Sequence, residues 1–182
     1  MLNVKKAVLM LSAAMLLQGC AQQAVVEVAD IVYPPAPNEP RFYYQETLKH
    51  SGHIEVESED LVMQRILLGQ NRNIYGFGKP IDMTAKLGRL YLSDSTGRRV
   101  LILDRNNGKV IEVREAGLEL VRMPFAIKVT DVGEIYVIDG TLKKVLVFDE
   151  NGVFIRSIGT PEMFDKPSGL AVTPDGSRVY VS

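Results

Sequence analysis

The side chains that could do chemistry in this 182-residue chain are few: one cysteine, Cys20, two histidines, His50 and His53, and a set of aspartates that includes Asp82, Asp94 and Asp139. His50 and His53 lie in the segment HSGH, where Gly52 marks a turn. Imidazoles are common metal ligands, but two histidines alone make a weak signature, and no metal is assigned to them. Asp82 is the residue that could act as a metal ligand or a base. Asp94 and Asp139 each end an apolar run. A carboxylate there is expected to accept backbone N–H groups of the following turn or to pair with Arg99 or Lys144. Arg98-Arg99 and Lys143-Lys144 read as hairpin charges that protect sheet edges. No Ser-His-Asp order, phosphate-cradling glycine loop or zinc signature occurs in the sequence.

What Cys20 can do depends on the residues before it. Lys5 and Lys6 give a basic start, and Ala7 to Leu17 is an uncharged run, AVLMLSAAMLL. That run is too short to span a bilayer, which takes about 20 apolar residues, and suits the core of a secretory signal. It ends in Leu17-Gln18-Gly19-Cys20, which resembles the lipobox of bacterial lipoproteins. The resemblance implies that residues 1–19 are removed and that the Cys20 thiol becomes a thioether to diacylglycerol, with its new amino group acylated. Each buried methylene adds about 0.8 kcal/mol, so more than one chain makes a stable anchor. A lipidated Cys20 leaves no thiol for disulfides, thiolate catalysis or metal binding. Ala21 in place of Asp implies the outer membrane, facing the periplasm. No cofactor is evident beyond this covalent lipid. The formal net charge of −1 falls to about −3 once Lys5 and Lys6 are gone, a balance that gives no reason to expect nucleic acid.

Residues 20–40 read as a tether. Tyr33 to Pro40, YPPAPNEP, holds four prolines in eight residues and predicts a semi-rigid polyproline II stalk. Residues 41–78 follow. Arg41 to Leu48 reads as an aromatic-rich strand. Ser58 to Gly69 reads as a short helix, with Ser58 as cap, Glu59 and Asp60 in the first turn and Gly69 past the end. Its Leu61, Met63, Ile66, Leu67 and Leu68 are expected to pack inward.

From Lys79 the chain repeats. Pro80, Pro124 and Pro167 are 44 and 43 residues apart; Tyr91, Tyr136 and Tyr180 are 45 and 44 apart. Asp94 and Asp139, like Asp104 and Asp149, are 45 apart. Each unit predicts four short antiparallel strands: Ile81 to Ala85, Leu90 to Leu92, Val100 to Leu103 and Val110 to Val113 in the first. Phe125 to Thr130, Ile135 to Ile138, Val145 to Phe148 and Val153 to Ile158 form the second. Gly169 to Thr173 and Val179 to Val181 begin a third. Asn and Gly in DRNNG and DENG suit hairpin turns. Four strands per roughly 44 residues make one blade of an all-β propeller. Ser182 falls where the next strand-ending Asp is expected, so the third blade reads as truncated and the ring as incomplete. Assembly of partial rings as oligomers is the other possibility.

Tyr91-Leu92-Ser93-Asp94, Tyr136-Val137-Ile138-Asp139, Arg99-Val100 and Lys144-Val145 resemble the pattern of NHL repeats. Gly97 and Leu142 stand where that family usually has Asn. Over residues 79–182 the resemblance implies a TolB-like, six-bladed propeller. With the lipobox and stalk, the chain resembles the NHL-repeat lipoproteins of bacteria. Propellers usually place their sites around the central channel, and the third position of each first strand is Asp82, Ala126 or Gly169, making Asp82 a possible channel-facing group. The expected role is a lipid-anchored binding or scaffold module for an envelope protein or glycan. The alternatives are a metal-dependent lyase or lactonase-type hydrolase, and a purely structural envelope component.

Overall fold

The computed structural model describes residues 31–56, 58–69 and 74–182. Cys20 and the preceding Leu17, Gln18 and Gly19 lie outside the described residues. The chain divides into two compact units, Met1–Glu46 and Thr47–Ser182.

In the first unit, β1 (Val32–Tyr33) pairs antiparallel with β2 (Phe42–Tyr43). The proline-rich stretch joining them is not the extended stalk expected. It folds back, with the Arg41 N–H donating to the Tyr33 carbonyl at 2.9 Å and the Tyr44 N–H to the Ile31 carbonyl at 2.8 Å. Only Phe42 and Tyr43 of the expected Arg41–Leu48 strand join a ladder. Their partner strand is itself two residues long, because Pro34 and Pro35 follow and proline offers no N–H to extend it.

In the second unit, a 3-10 turn (Ser51–His53) precedes helix α1 (Glu59–Leu68). The helix stops where Gly69 adopts φ +64°, a conformation glycine takes without steric cost. Met63, Ile66, Leu67 and Leu68 are exposed rather than packed inward. The side chain of Leu61 lies outside the described set.

Two four-stranded antiparallel meanders follow. The first contains β3 (Pro80–Lys86), β4 (Arg89–Asp94), β5 (Arg99–Asp104) and β6 (Lys109–Val113), hydrogen-bonded in that order. A hairpin, β7 (Glu115–Ala116) and β8 (Glu119–Leu120), links it to the second. That meander contains β9 (Pro124–Val129), β10 (Ile135–Asp139), β11 (Lys144–Phe148) and β12 (Phe154–Ile158), again in order. A third begins with β13 (Leu170–Val172) paired to β14 (Val179–Val181). These are successive blades of a β-propeller. Their bounds follow the repeat spacing to within two residues.

The period-2 alternation of a strand explains the core. On β5, Val100 and Ile102 point to one side and meet Ile127, Ile135 and Val137 of the second blade. Leu101 and Leu103 point to the other side, where Leu48, Ile54, Tyr75 and Phe77 cover them. On β10 and β11, Tyr136, Ile138, Val145 and Val147 pack toward Leu170 of the third blade. Both faces of β5 and β11 are therefore buried, which is why their sequences are near-continuous apolar runs.

Candidate functional site

The first strands of the two blades, β3 and β9, lie side by side. Asp82, third on β3, bridges them. Its Oδ1 accepts the Met83 N–H at 2.9 Å, and its Oδ2 accepts the Ile127 N–H at 3.0 Å and Lys128 Nζ at 3.1 Å. Beside it, Ser93 Oγ accepts the Asp82 N–H at 3.1 Å and donates to the Phe125 carbonyl. Partial burial pushes the Asp82 carboxyl up, but the Ile127 N–H and the Lys128 ammonium outweigh it and hold the group below the ordinary carboxylate range. Asp82 is thus an ionised strap between two blades. A carboxylate held that low is poorly matched to a general base working near neutral pH.

Asp94 and Asp139 are the last residues of β4 and β10. Asp94 accepts the N–H groups of Gly78 at 2.9 Å, Lys79 at 2.7 Å and Gly97 at 3.0 Å, together with Arg99 Nε at 3.0 Å. Asp139 accepts the N–H groups of Arg122 at 2.7 Å and of Met123, Thr141 and Leu142 at 3.0 Å each. Each carboxylate therefore ties the segment leading into its blade to the turn after its own strand. Lys144 does not pair with Asp139; its ammonium goes to Glu119 at 3.0 Å.

Arg99 is not the edge charge expected. It is 5% exposed and binds Asp94, Glu112 Oε1 at 2.6 Å and the Gly76 carbonyl at 2.7 Å. Its guanidinium lies over the Tyr75 ring, 4.8 Å from the centroid. A planar fork with several donors can satisfy three partners at once, where an ammonium could not hold them in that plane. In the second blade, Tyr136 donates its hydroxyl proton to Glu134 at 2.6 Å, and Arg156 forks across both.

His50 and His53 come together, ring centroids 4.0 Å apart, with His53 Nδ1 accepting the Lys49 N–H at 3.2 Å. No group of three His, Cys, Asp or Glu side chains placed to hold a metal occurs among the described residues.

A cleft of about 430 Å³ opens where the first blade meets the second, lined by Ser95, Thr96, Arg98, Arg122, Met123 and Thr141. The turn between β4 and β5 supplies Ser95, Thr96 and Arg98. Arg122 and Met123 lead into β9, and Thr141 follows β10. Sequence reasoning passes over Arg122 because it lies outside every strand. The signal that reveals it is the repeat itself: one unit on, the matching position carries Asp165.

No protein-family model matches the sequence, and no curated protein matches it. Among solved structures, it is similar to hydrazine synthase of Kuenenia stuttgartiensis, at 28% identity and a TM-score of 0.49, covering 58% of this chain and 29% of that one. It is similar to a streptogramin B lyase at 16% identity and a TM-score of 0.49, covering 58% of this chain and 34% of that one. A third similar structure is a catalytically inactive virginiamycin B lyase from Staphylococcus aureus, at 14% identity and a TM-score of 0.48, with 58% and 35% covered. The chain spans about a third of the length of each.

Proposed function

We propose that this chain is a lipid-anchored, periplasm-facing protein of the bacterial cell envelope, with its propeller blades acting as a binding or scaffold module. The observation that carries the binding role is how the blades use their ionisable groups. Asp82, Asp94, Asp139 and Arg99 are all engaged in hydrogen bonds that join strand to turn or blade to blade. Groups committed in this way rigidify a platform. The loops at the blade ends are left to contact a partner, as loops on rigid scaffolds commonly do. The anchor rests on the sequence Leu17-Gln18-Gly19-Cys20 after a basic start and an apolar run. Two acyl chains or more on Cys20 would hold the protein stably at a membrane.

The test is fractionation of cells expressing the full chain or its Cys20→Ala variant, with partners captured by crosslinking in intact cells. The wild-type chain is expected in the membrane fraction, crosslinked to an envelope protein or glycan. The variant is expected to leave that fraction and lose those partners. If fractionation and crosslinks are the same for both chains, the reading is wrong.

A further inference from the structure

The geometry points to an oxyanion-binding site in the cleft between the first two blades, where Arg98 and Arg122 grip a phosphate or carboxylate group of a ligand. The inference does not depend on the lipid anchor. Arg98 corresponds to Lys143 one repeat later, and both adopt the same left-handed turn conformation, φ 52° and 54°. The two residues therefore share one backbone conformation at equivalent turn positions. Arg122 corresponds to Asp165, counting from Pro124 and Pro167. At the second junction, Lys143 Nζ pairs with Asp165 Oδ1 at 3.5 Å. At the first junction the acid is replaced by arginine, and both Arg98 and Arg122 line the cleft.

Among the described residues neither guanidinium has an acidic partner, and the cleft lining contains no carboxylate. Two like charges converging on one concave surface repel unless an anion lies between them. Guanidinium groups fit phosphate and carboxylate as paired N–H donors. Thr96 and Thr141 also line the cleft, and a threonine hydroxyl can donate a further hydrogen bond to an oxyanion. Ser95 Oγ donates to the Lys79 carbonyl at 3.3 Å, so its proton is committed within the blade. Arg122 and Met123 keep their backbone bonds to Asp139, which fixes the cleft wall independently of the Arg122 side chain.

The test is calorimetric titration of the full chain with inorganic phosphate and, separately, with glucuronate, at constant ionic strength. One saturable site is expected. Arg122→Asp copies the ion pair of the second junction and should fold as well as the parent while weakening binding by about tenfold or more. Arg98→Gly removes the other guanidinium at a position whose φ suits glycine and should weaken binding similarly. Lys109→Ala, a cation elsewhere on the blade, should leave binding unchanged. Saturation by only one of the two anions would identify the ligand group. Absence of saturable binding by either, or equal binding by Arg122→Asp, would overturn the assignment.

Discussion

Replacing Asp94 by alanine should cost far more than its single side chain suggests. The carboxylate is fully buried and satisfies three backbone N–H groups and Arg99 Nε. Alanine strands the donors of Gly78, Lys79 and Gly97. A buried donor left unpaired costs about 1–3 kcal/mol. Arg99 keeps Glu112 and the Gly76 carbonyl, so its charge is not orphaned. Some of the donors will be reached by water entering the space left by the carboxyl. The expected loss is therefore about 3–5 kcal/mol, toward the low end of the roughly 3–9 kcal/mol that three stranded donors would cost. Asp149→Ala is the control: that carboxylate accepts only the Asn151 and Val153 N–H groups in an exposed turn, and about 1 kcal/mol is expected. Urea denaturation of the full-length variants measures both. At a slope of about 2 kcal/mol per molar, the Asp94→Ala midpoint should fall by about 1.5–2.5 M. If Asp94→Ala loses no more stability than Asp149→Ala, the carboxylate is not the anchor described.

Asp82→Ala should loosen the contact between the first two blades without unfolding either. The expected cost is about 1 kcal/mol, and amide exchange at Ile127 should speed up, since Asp82 Oδ2 accepts that N–H. Stability should fall in acid. For Asp94, burial pushes the carboxyl up, but the Lys79, Gly78 and Gly97 N–H groups and Arg99 overcome it and hold its folded pKa low. The stabilisation is fully present above the unfolded value near pH 4 and is lost as pH falls through the lower folded value. Denaturation midpoints measured from pH 6 to pH 2 should show this slope, and it should shrink in Asp94→Ala. Gly97→Asn, which would install the residue usual in NHL repeats, should destabilise rather than help. A Cβ at Gly97 would lie 2.3 Å from Asp94 Oδ2 and 2.7 Å from Arg99 Nε, and a raised thermal midpoint would contradict this.

The blades were legible in the sequence because a repeat announces its own geometry. Pro80, Pro124 and Pro167 mark where first strands begin, and Asp94 and Asp139 mark where second strands end. The backbone bonds of those aspartates could be foreseen because a carboxylate at a strand end meets the N–H groups of the next turn. What was not legible is non-local. Nothing near Asp82 in sequence tells that its partners are Ile127 and Lys128, 45 and 46 residues away. Arg99 reads as a hairpin charge until Tyr75, Gly76 and Glu112 are seen around it. In α1 the apolar residues lack a partner surface among the described residues, so composition overstates their burial. The proline stretch follows the same logic: local φ preference suggests extension, and the ladder between Val32–Tyr33 and Phe42–Tyr43 overrides it.

The membrane address proposed for this propeller can be measured directly. The full chain should be purified from membranes and the intact mass of its N-terminal peptide recorded. The expected peptide begins at Cys20 and carries a diacylglycerol thioether and an acylated amino group. An N-terminal peptide that retains residues 1–19, or that carries Cys20 as a free thiol, would contradict it.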